Sequence, residues 1–510
     1  MKKFKIGISI ITLVVSIIVI IILAGSVILI LQKSNPIKQA QKARFLNDVE
    51  TFKEELEMYK NQEYIQSNGK FDPNSLNAPS DGIEVSDLIS SLKNSSYSKD
   101  DFTVENGKLV YKGKNQDYIT WLGDTNIVDN NMIDTGYNKD QGVNGPVMSL
   151  GMTPIKWDNN VLNVTNINDK DWYSYTSSEK RWANAQTKDG SMWVWIPRYA
   201  YKIDNPHTAE AQEIHIKFLK GTSNETSDGE ALPEGYIVEP AFTFGDTQLA
   251  GIWVAKFEPT AREGVENSPT YDNVITKHVK VVPNSNSWKY TNISVAFDVC
   301  RNMEKDSSYG WNVKDDAAEN IDTHMMKNVE WGSIAYLTQS EYGIDSEVQK
   351  NNDQTYTGGG KDDAYIENVD ETTTGNVYGI YDMVGGLSER VSAYVDNGNK
   401  NLIEYGKDLV EAQDKYKDVY EMGQNDSYDT NYNNTASRVG DAIYETSDLK
   451  TSAWYGNNVS MPNGGTPFIV RGGYYNNTYS YAGLFQIAQT DGYHDGTYGF
   501  RPVIVVGKSL

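Results

Sequence analysis

The residues whose types and spacing suit chemistry lie between Arg471 and Arg501. Six of the chain's 34 tyrosines fall there, among Asn, Asp, Ser, Thr, Gly and one His. The chemistry they suit is non-covalent recognition. Tyr offers a large contact area at low entropic cost, and Asn, Ser and Gly adapt their hydrogen bonding to a partner. Tyr rings stack on sugar or protein surfaces, while amide and carboxylate groups set orientation. The candidate ligand contacts are Tyr475, Asn476, Asn477, Tyr479, Tyr481, Gln486, Asp491, Tyr493, His494 and Tyr498. The same composition also fits a wet loop between two strands, because loops are polar in general.

Covalent chemistry finds little to work with. His207, His215, His278, His324 and His494 form no pair at metal-ligand spacing, and Cys300 is the single cysteine. A multi-cysteine zinc or iron–sulfur site and an intrachain disulfide are therefore excluded. No Gly-x-Ser-x-Gly elbow occurs, and Gly358-Gly359-Gly360 sits in polar sequence as a loop, not as a phosphate cradle after a strand. No catalytic residue and no metal ligand is assigned, and the chain is expected not to be an enzyme.

The elements that must hold the tyrosine-rich stretch are short and apolar. Phe468-Ile469-Val470 precedes it and Pro502 to Val506 follows it, both reading as buried strands. Arg471-Gly472-Gly473 and Gly499-Phe500-Arg501 bracket the stretch itself. Upstream, Met192 to Ile196 and Leu249 to Glu258 read as strands, and Val295 to Met303 and Met326 to Gln339 as helices, the first capped by Asn292 or Ser294. Leu402 to Met422 has helical spacing inside an Asn-rich insertion. At 510 residues, more than one folded unit is expected. The formal charge of −23 excludes nucleic acid, which needs a basic face, and suits an exported surface.

No charged residue occurs from Ile6 to Leu31, 26 residues in all. As a helix that length crosses a hydrocarbon core of about 30 Å. A helix from Ile37 to Tyr64 follows, with Ala43, Leu46, Val49, Phe52, Leu56 and Tyr59 on one face. A short helix over Asp81 to Leu92 and a hairpin over Phe102 to Tyr111, turning at Asn106-Gly107, come next. The expected organisation is a basic leader at 1–7, a transmembrane helix at 8–31, an amphipathic helix at 32–64, a small α+β head at 65–125, a strand-bearing spacer at 126–190, and a large domain at 191–510 with an insertion at 396–467.

Two resemblances add to this. The basic leader, Gly7, the apolar helix and its amphipathic continuation resemble the start of type IV pilins and pseudopilins. That implies cleavage between Gly7 and Ile8 and packing with other pilin-like subunits. Thr12 stands where pilins carry Glu at the fifth mature position, and a plain membrane anchor is the alternative. Further on, MWVWIPRYAYKI, GIWVAKFEPT, Ser287-Trp288 before AFDVCRNM, Glu330-Trp331, NVYGIYDMVGGLSERV and the closing Arg-Gly-Gly and Gly-Phe-Arg follow in order. Together they resemble the formylglycine-generating (sulfatase-modifying factor) family, a branch of the C-type lectin fold.

The second resemblance implies an α+β architecture with a large C-type-lectin-like domain rich in irregular structure. The family's enzymes use cysteines after Arg-Gly-Gly, and positions 474 to 498 hold none. No cofactor is expected. Calcium is the one candidate the resemblance raises, with Glu389 keeping a carboxylate and Gly386 standing where the family has Asn. The C-terminal segment also resembles variable proteins of diversity-generating retroelements, which place diversified residues before a Gly-Phe-Arg-like ending. Adenine-directed mutagenesis of Asn codons yields Tyr, Asn, Asp, Ser, His and Gly, and positions 474 to 498 are rich in these; Gln486 and Gln489 are not reached that way.

The expected function is therefore a bacterial binding protein, adhesin-like, held at the cell membrane by a single pass with its bulk outside. Its C-terminal loops would bind an extracellular glycan or protein. The alternatives are a structural subunit of a surface filament or secretion pseudopilus, and an enzyme of the formylglycine-generating family with altered chemistry.

Overall fold

The computed structural model describes residues 36–122, apart from 68–69, 73–74, 81 and 106, and residues 132–507, apart from 265–275, 315–316, 319, 354 and 422–437. The chain divides into two compact units, one up to Asn130 and one from Asn131 onward.

The first unit is organised by α1, Pro36–Gln66. Pro36 suits a first helical turn, where a missing N–H costs nothing. Phe45, Val49, Phe52 and Leu56 recur at helical steps and are all buried. Leu46, expected on that face, is only half-buried, and Phe45 takes its place. The stripe meets a hairpin of β1, Phe102–Glu105, and β2, Lys108–Tyr111, with Glu105 opposite Lys108. The rings of Phe52 and Phe102 meet edge-on at 5.4 Å, and Phe45 stacks at 4.0 Å on Tyr118 of α2, Gln116–Leu122. The single helix expected over 81–92 is two four-residue turns, Val85–Leu88 and Ser90–Lys93, broken at Ile89, whose backbone is extended.

One expectation is corrected here. Among the described residues no helix is long and apolar enough to cross a membrane. The apolar segment read as a transmembrane helix, and the proposed cleavage point at Gly7 and Ile8, lie outside the described residues. An α+β chain with a membrane-spanning helix, placed in the cell membrane by a single pass, is thus not what the structure supports. What it shows is a mixed architecture with many small antiparallel sheets.

The second unit is built on a seven-stranded antiparallel sheet. Its strands are β3 (Thr153–Asp158), β4 (Val161–Val164), β5 (Asn184–Gln186), β6 (Met192–Pro197), β7 (Gly251–Ala255), β8 (Ile321–Met325) and β14 (Pro502–Val506). Their order is β8-β14-β7-β6-β5-β3-β4. Every residue of β6 and β7 is buried, which is why these strands read as continuous apolar runs rather than alternating ones. Trp195 and Trp253 lie opposite each other with ring centres 5.4 Å apart. Their indole nitrogens donate to the carbonyls of Asn144 and Val147, as buried tryptophans require. Residues 153–186, read from the sequence as a strand-bearing spacer, supply three strands of this sheet.

A second sheet of five strands carries the tyrosine-rich segment. It comprises β9 (Ser388–Asp396), β10 (Asp418–Glu421), β11 (Phe468–Arg471), β12 (Ile487–Thr490) and β13 (Tyr498–Phe500). The central β9 pairs antiparallel with β11, and in parallel with β13 through its first half and with β10 through its second. Helix α3, Ile293–Asn302, opens on the Asn292 side chain, whose oxygen accepts from Val295 N at 2.8 Å. Helix α4, Asn328–Thr338, is buried along its whole length. The helix expected over 402–422 is instead two short turns, a tighter turn and β10. Leu402, Leu409, Tyr416 and Tyr420 are buried as their spacing suggests. Gly406 marks the break, where any side chain would run into the Phe468 ring, and pairing with β9 overrides helix beyond Lys417.

Candidate functional site

The site is framed by two arginines from the sequence brackets. Arg471 ends β11, fully buried, and donates to the carbonyl of Gln486, to Asn328 Oδ1 at 2.7 Å and to the carbonyl of Asp441. Trp331 of α4 lies under its guanidinium and donates from Nε1 to the Leu484 carbonyl at 2.9 Å. Arg501 sits between β13 and β14, where the chain passes from the second sheet into the first. It grips the Glu389 carboxylate and donates to the carbonyls of Ala255 and Tyr381.

Between these anchors the segment is two loops separated by a buried strand entry. Residues 482–487 are all buried, with Leu484 and Phe485 in the core. The loops are 474–481 and 491–498, and both are tied to the start of β9. Tyr475 N donates to the Gly386 carbonyl at 3.0 Å, and Ser388 N donates to the Thr497 carbonyl at 2.9 Å. Gly386 has φ +61°, and a side chain on it would stand 2.8 Å from Glu258 Oε1, so both conformation and space require glycine there.

The sequence-derived candidates fall into two groups and one exception. In the first loop Tyr479 and Tyr481 are 67% and 51% exposed, and Asn476 is exposed. Tyr475 is half-buried with its ring edge-on to Tyr474. Asn477 serves the loop itself. Its Oδ1 accepts from Tyr474 N at 2.8 Å and its carbonyl accepts from Lys350 Nζ at 2.6 Å. In the second loop Tyr493 is 46% exposed and His494 is exposed, their rings 3.9 Å apart. Asp491 accepts from Tyr493 N at 2.9 Å, and the half-buried Tyr498 lies over Arg390, 4.7 Å from ring centre to guanidinium. The exception is Gln486, which is buried beside Arg471 and takes no place on the surface. The apolar run Ala482-Gly483-Leu484-Phe485 before it is the sequence signal for that.

Several neighbours come from far along the chain. Tyr405 packs on Tyr493 with ring centres 5.2 Å apart. Tyr290 N donates to the Asp495 carbonyl at 3.1 Å. Lys350 lies 5.3 Å from the Tyr479 ring, within cation–π range. Arg390, fully buried on β9, donates from Nη2 to the Tyr493 carbonyl. Burial pulls its pKa down to about 10, so it is charged at neutral pH.

The residues raised for calcium do not fit the ion. The Glu389 carboxylate is taken by Arg501, and position 386 offers no side-chain oxygen. Among the described residues no group of three or more His, Cys, Asp or Glu is placed to hold a metal. Cys300 is fully buried on α3, and burial pushes its thiol pKa up, the opposite of what a nucleophile needs.

No protein-family model matches the chain, and no curated protein does. The pilin and formylglycine-generating resemblances therefore rest on the sequence motifs alone. Among solved structures the chain is similar to Treponema denticola variable protein 1, with 11% identity, a TM-score of 0.26, and coverage of 62% of this chain and 96% of that one.

Proposed function

We propose that this chain is a binding protein whose contact surface is the pair of loops 474–481 and 491–498, and that its partner is a glycan or protein. One observation carries this. Among the described residues, the large aromatic side chains left exposed are Tyr479, Tyr481 and Tyr493, all in this segment. By contrast Trp172, Trp182, Trp193, Trp195, Trp253, Trp331 and Trp454 are all fully enclosed. Exposed rings within one short stretch of chain are the economy of a recognition surface.

The test is the triple variant Tyr479→Ala, Tyr481→Ala, Tyr493→Ala of the full chain, assayed on a glycan array and on a panel of cell surfaces. Retention is expected to fall at least tenfold with the melting temperature unchanged. Equal retention by the variant overturns the assignment. We further propose that 474–498 is where side chains vary between copies of the gene. Sequencing codons 471–501 across isolates is expected to show variation confined there, and invariance would leave a fixed recognition surface.

A further inference from the structure

We propose that Arg390 is an anion-reading group beneath the second loop, and that an acidic sugar bound on the loop pair places its carboxylate there. Taking that loop pair as the binding surface, the site adds a charge preference to it.

Four arginines are fully buried in the second unit: Arg198, Arg390, Arg471 and Arg501. Three have every nitrogen occupied. Arg198 donates to the carbonyls of Ser223 and Phe242 and to Asn224 Oδ1. Arg471 uses Nε, Nη1 and Nη2 on carbonyls and on Asn328. Arg501 uses all three on Glu389, Ala255 and Tyr381. Arg390 alone is left incomplete. Its Nη2 reaches the Tyr493 carbonyl, while Nε and Nη1 have no hydrogen-bond partner among the described residues. An unmet donor on a buried charge is costly, and proteins rarely leave one without a reason.

The two loop carboxylates that favour its charge, Asp491 and Asp495, make no hydrogen bond to it. Asp491 accepts from Tyr493 N, and Asp495 accepts from Thr497 N at 2.8 Å and Thr497 Oγ1 at 2.6 Å. Each spends its Oδ1 on its own turn. Above Arg390 lies the half-buried Tyr498, with Tyr493, Tyr405 and Tyr290 around the same loop. Rotation of the Tyr498 ring opens the guanidinium edge. A carboxylate oxygen then takes the open N–H groups while the sugar ring lies against the neighbouring tyrosines. A guanidinium suits this better than an ammonium, since it is planar and weakly hydrated.

The experiment titrates the full chain with glucuronate, glucose and acetate, followed by calorimetry. Glucuronate is expected to bind at least tenfold more tightly than either glucose or acetate. Tyr498→Ala is expected to tighten glucuronate binding by removing the cover, and Arg390→Lys to weaken it at least tenfold. If Arg390→Lys does not fold, the Tyr498→Ala variant and the three-probe comparison still decide. Equal binding of glucuronate and glucose, equal binding of acetate and glucuronate, or no binding of any probe overturns the proposal. Those results combined with loss of surface retention in the triple tyrosine variant would leave the loop surface standing without the anion site. Retention by that variant would remove the surface as well.

Discussion

Arg501 closes on Glu389 with both side chains fully buried, its Nε lying 2.9 and 3.1 Å from the two carboxylate oxygens. The pair joins the two sheets, because Arg501 leads into β14 while Glu389 lies on β9. Removing one partner strands a buried charge. Arg501→Met or Glu389→Gln should therefore destabilise the second unit by about 3–5 kcal/mol. Urea unfolding followed by tryptophan fluorescence would show this as a lower midpoint with an unchanged slope.

Stability should fall as pH rises from about 5 to about 8. Asp441 is pushed up to about 8, first by burial and then by Glu445. Asp298 is pushed up to about 7 by burial and by Asp408, and Asp418 to about 6 by burial. A carboxyl with a raised folded pKa binds its proton more tightly when folded. Its contribution is present below its unfolded value near 4 and is lost as pH climbs through the folded value. His324, held between Asp322 and Glu330 at 3.1 and 2.9 Å, acts in the same direction. Its pKa is raised despite burial, so its share is lost as pH rises through that value. Asp441→Asn should flatten the profile, removing a slope of up to ~1.4 kcal/mol per pH unit. Melting temperatures between pH 5 and 8.5 would settle it.

Gly473 has φ +70°, and a methyl group there would run into the Tyr481 carbonyl. Gly473→Ala should cost about 1–3 kcal/mol and shift Tyr481 out of place. Amide chemical shifts of the 474–481 loop should move while those of β6 and β7 stay fixed.

Cys300 should resist thiol reagents in the native protein. It is enclosed on α3, and burial disfavours its thiolate. An aromatic disulfide reagent should label nothing in buffer and one thiol per chain in denaturant. Labelling of the native protein would contradict the packing of α3.

Much of the scaffold was legible because it depends on local rules. The β1–β2 hairpin, the Asn292 cap and the strands at 468–471 and 502–506 follow from turn residues, capping chemistry and apolar runs. Composition singled out the tyrosines of 474–498 without telling the exposed Tyr479, Tyr481 and Tyr493 from the half-buried Tyr475 and Tyr498. Gln486 was misplaced because its polar type was weighed above the apolar run Ala482 to Phe485 that leads into it and carries it into the core. The stretch 402–422 misled because apolar spacing reports burial without naming the element that buries. Tyr290, Tyr405, Lys350 and Arg390 were invisible as site residues. Their relation to the loops is made by sheet pairing across long stretches of chain, which no spacing records. The apolar segment at 6–31 suggested a spanning helix, and no described residue carries that expectation.

The two loops are fastened to Gly386 and Ser388 by main-chain groups alone. A peptide N–H and a carbonyl are the same whatever side chain follows them. The clasp itself is therefore indifferent to the exposed side chains it holds, Tyr479, Tyr481, Tyr493 and His494 among them, while Asn477 and Asp491 are kept by the turns they bond. Such a mounting lets the outline of the two loops be set by the main chain while the exposed side chains on them are set independently.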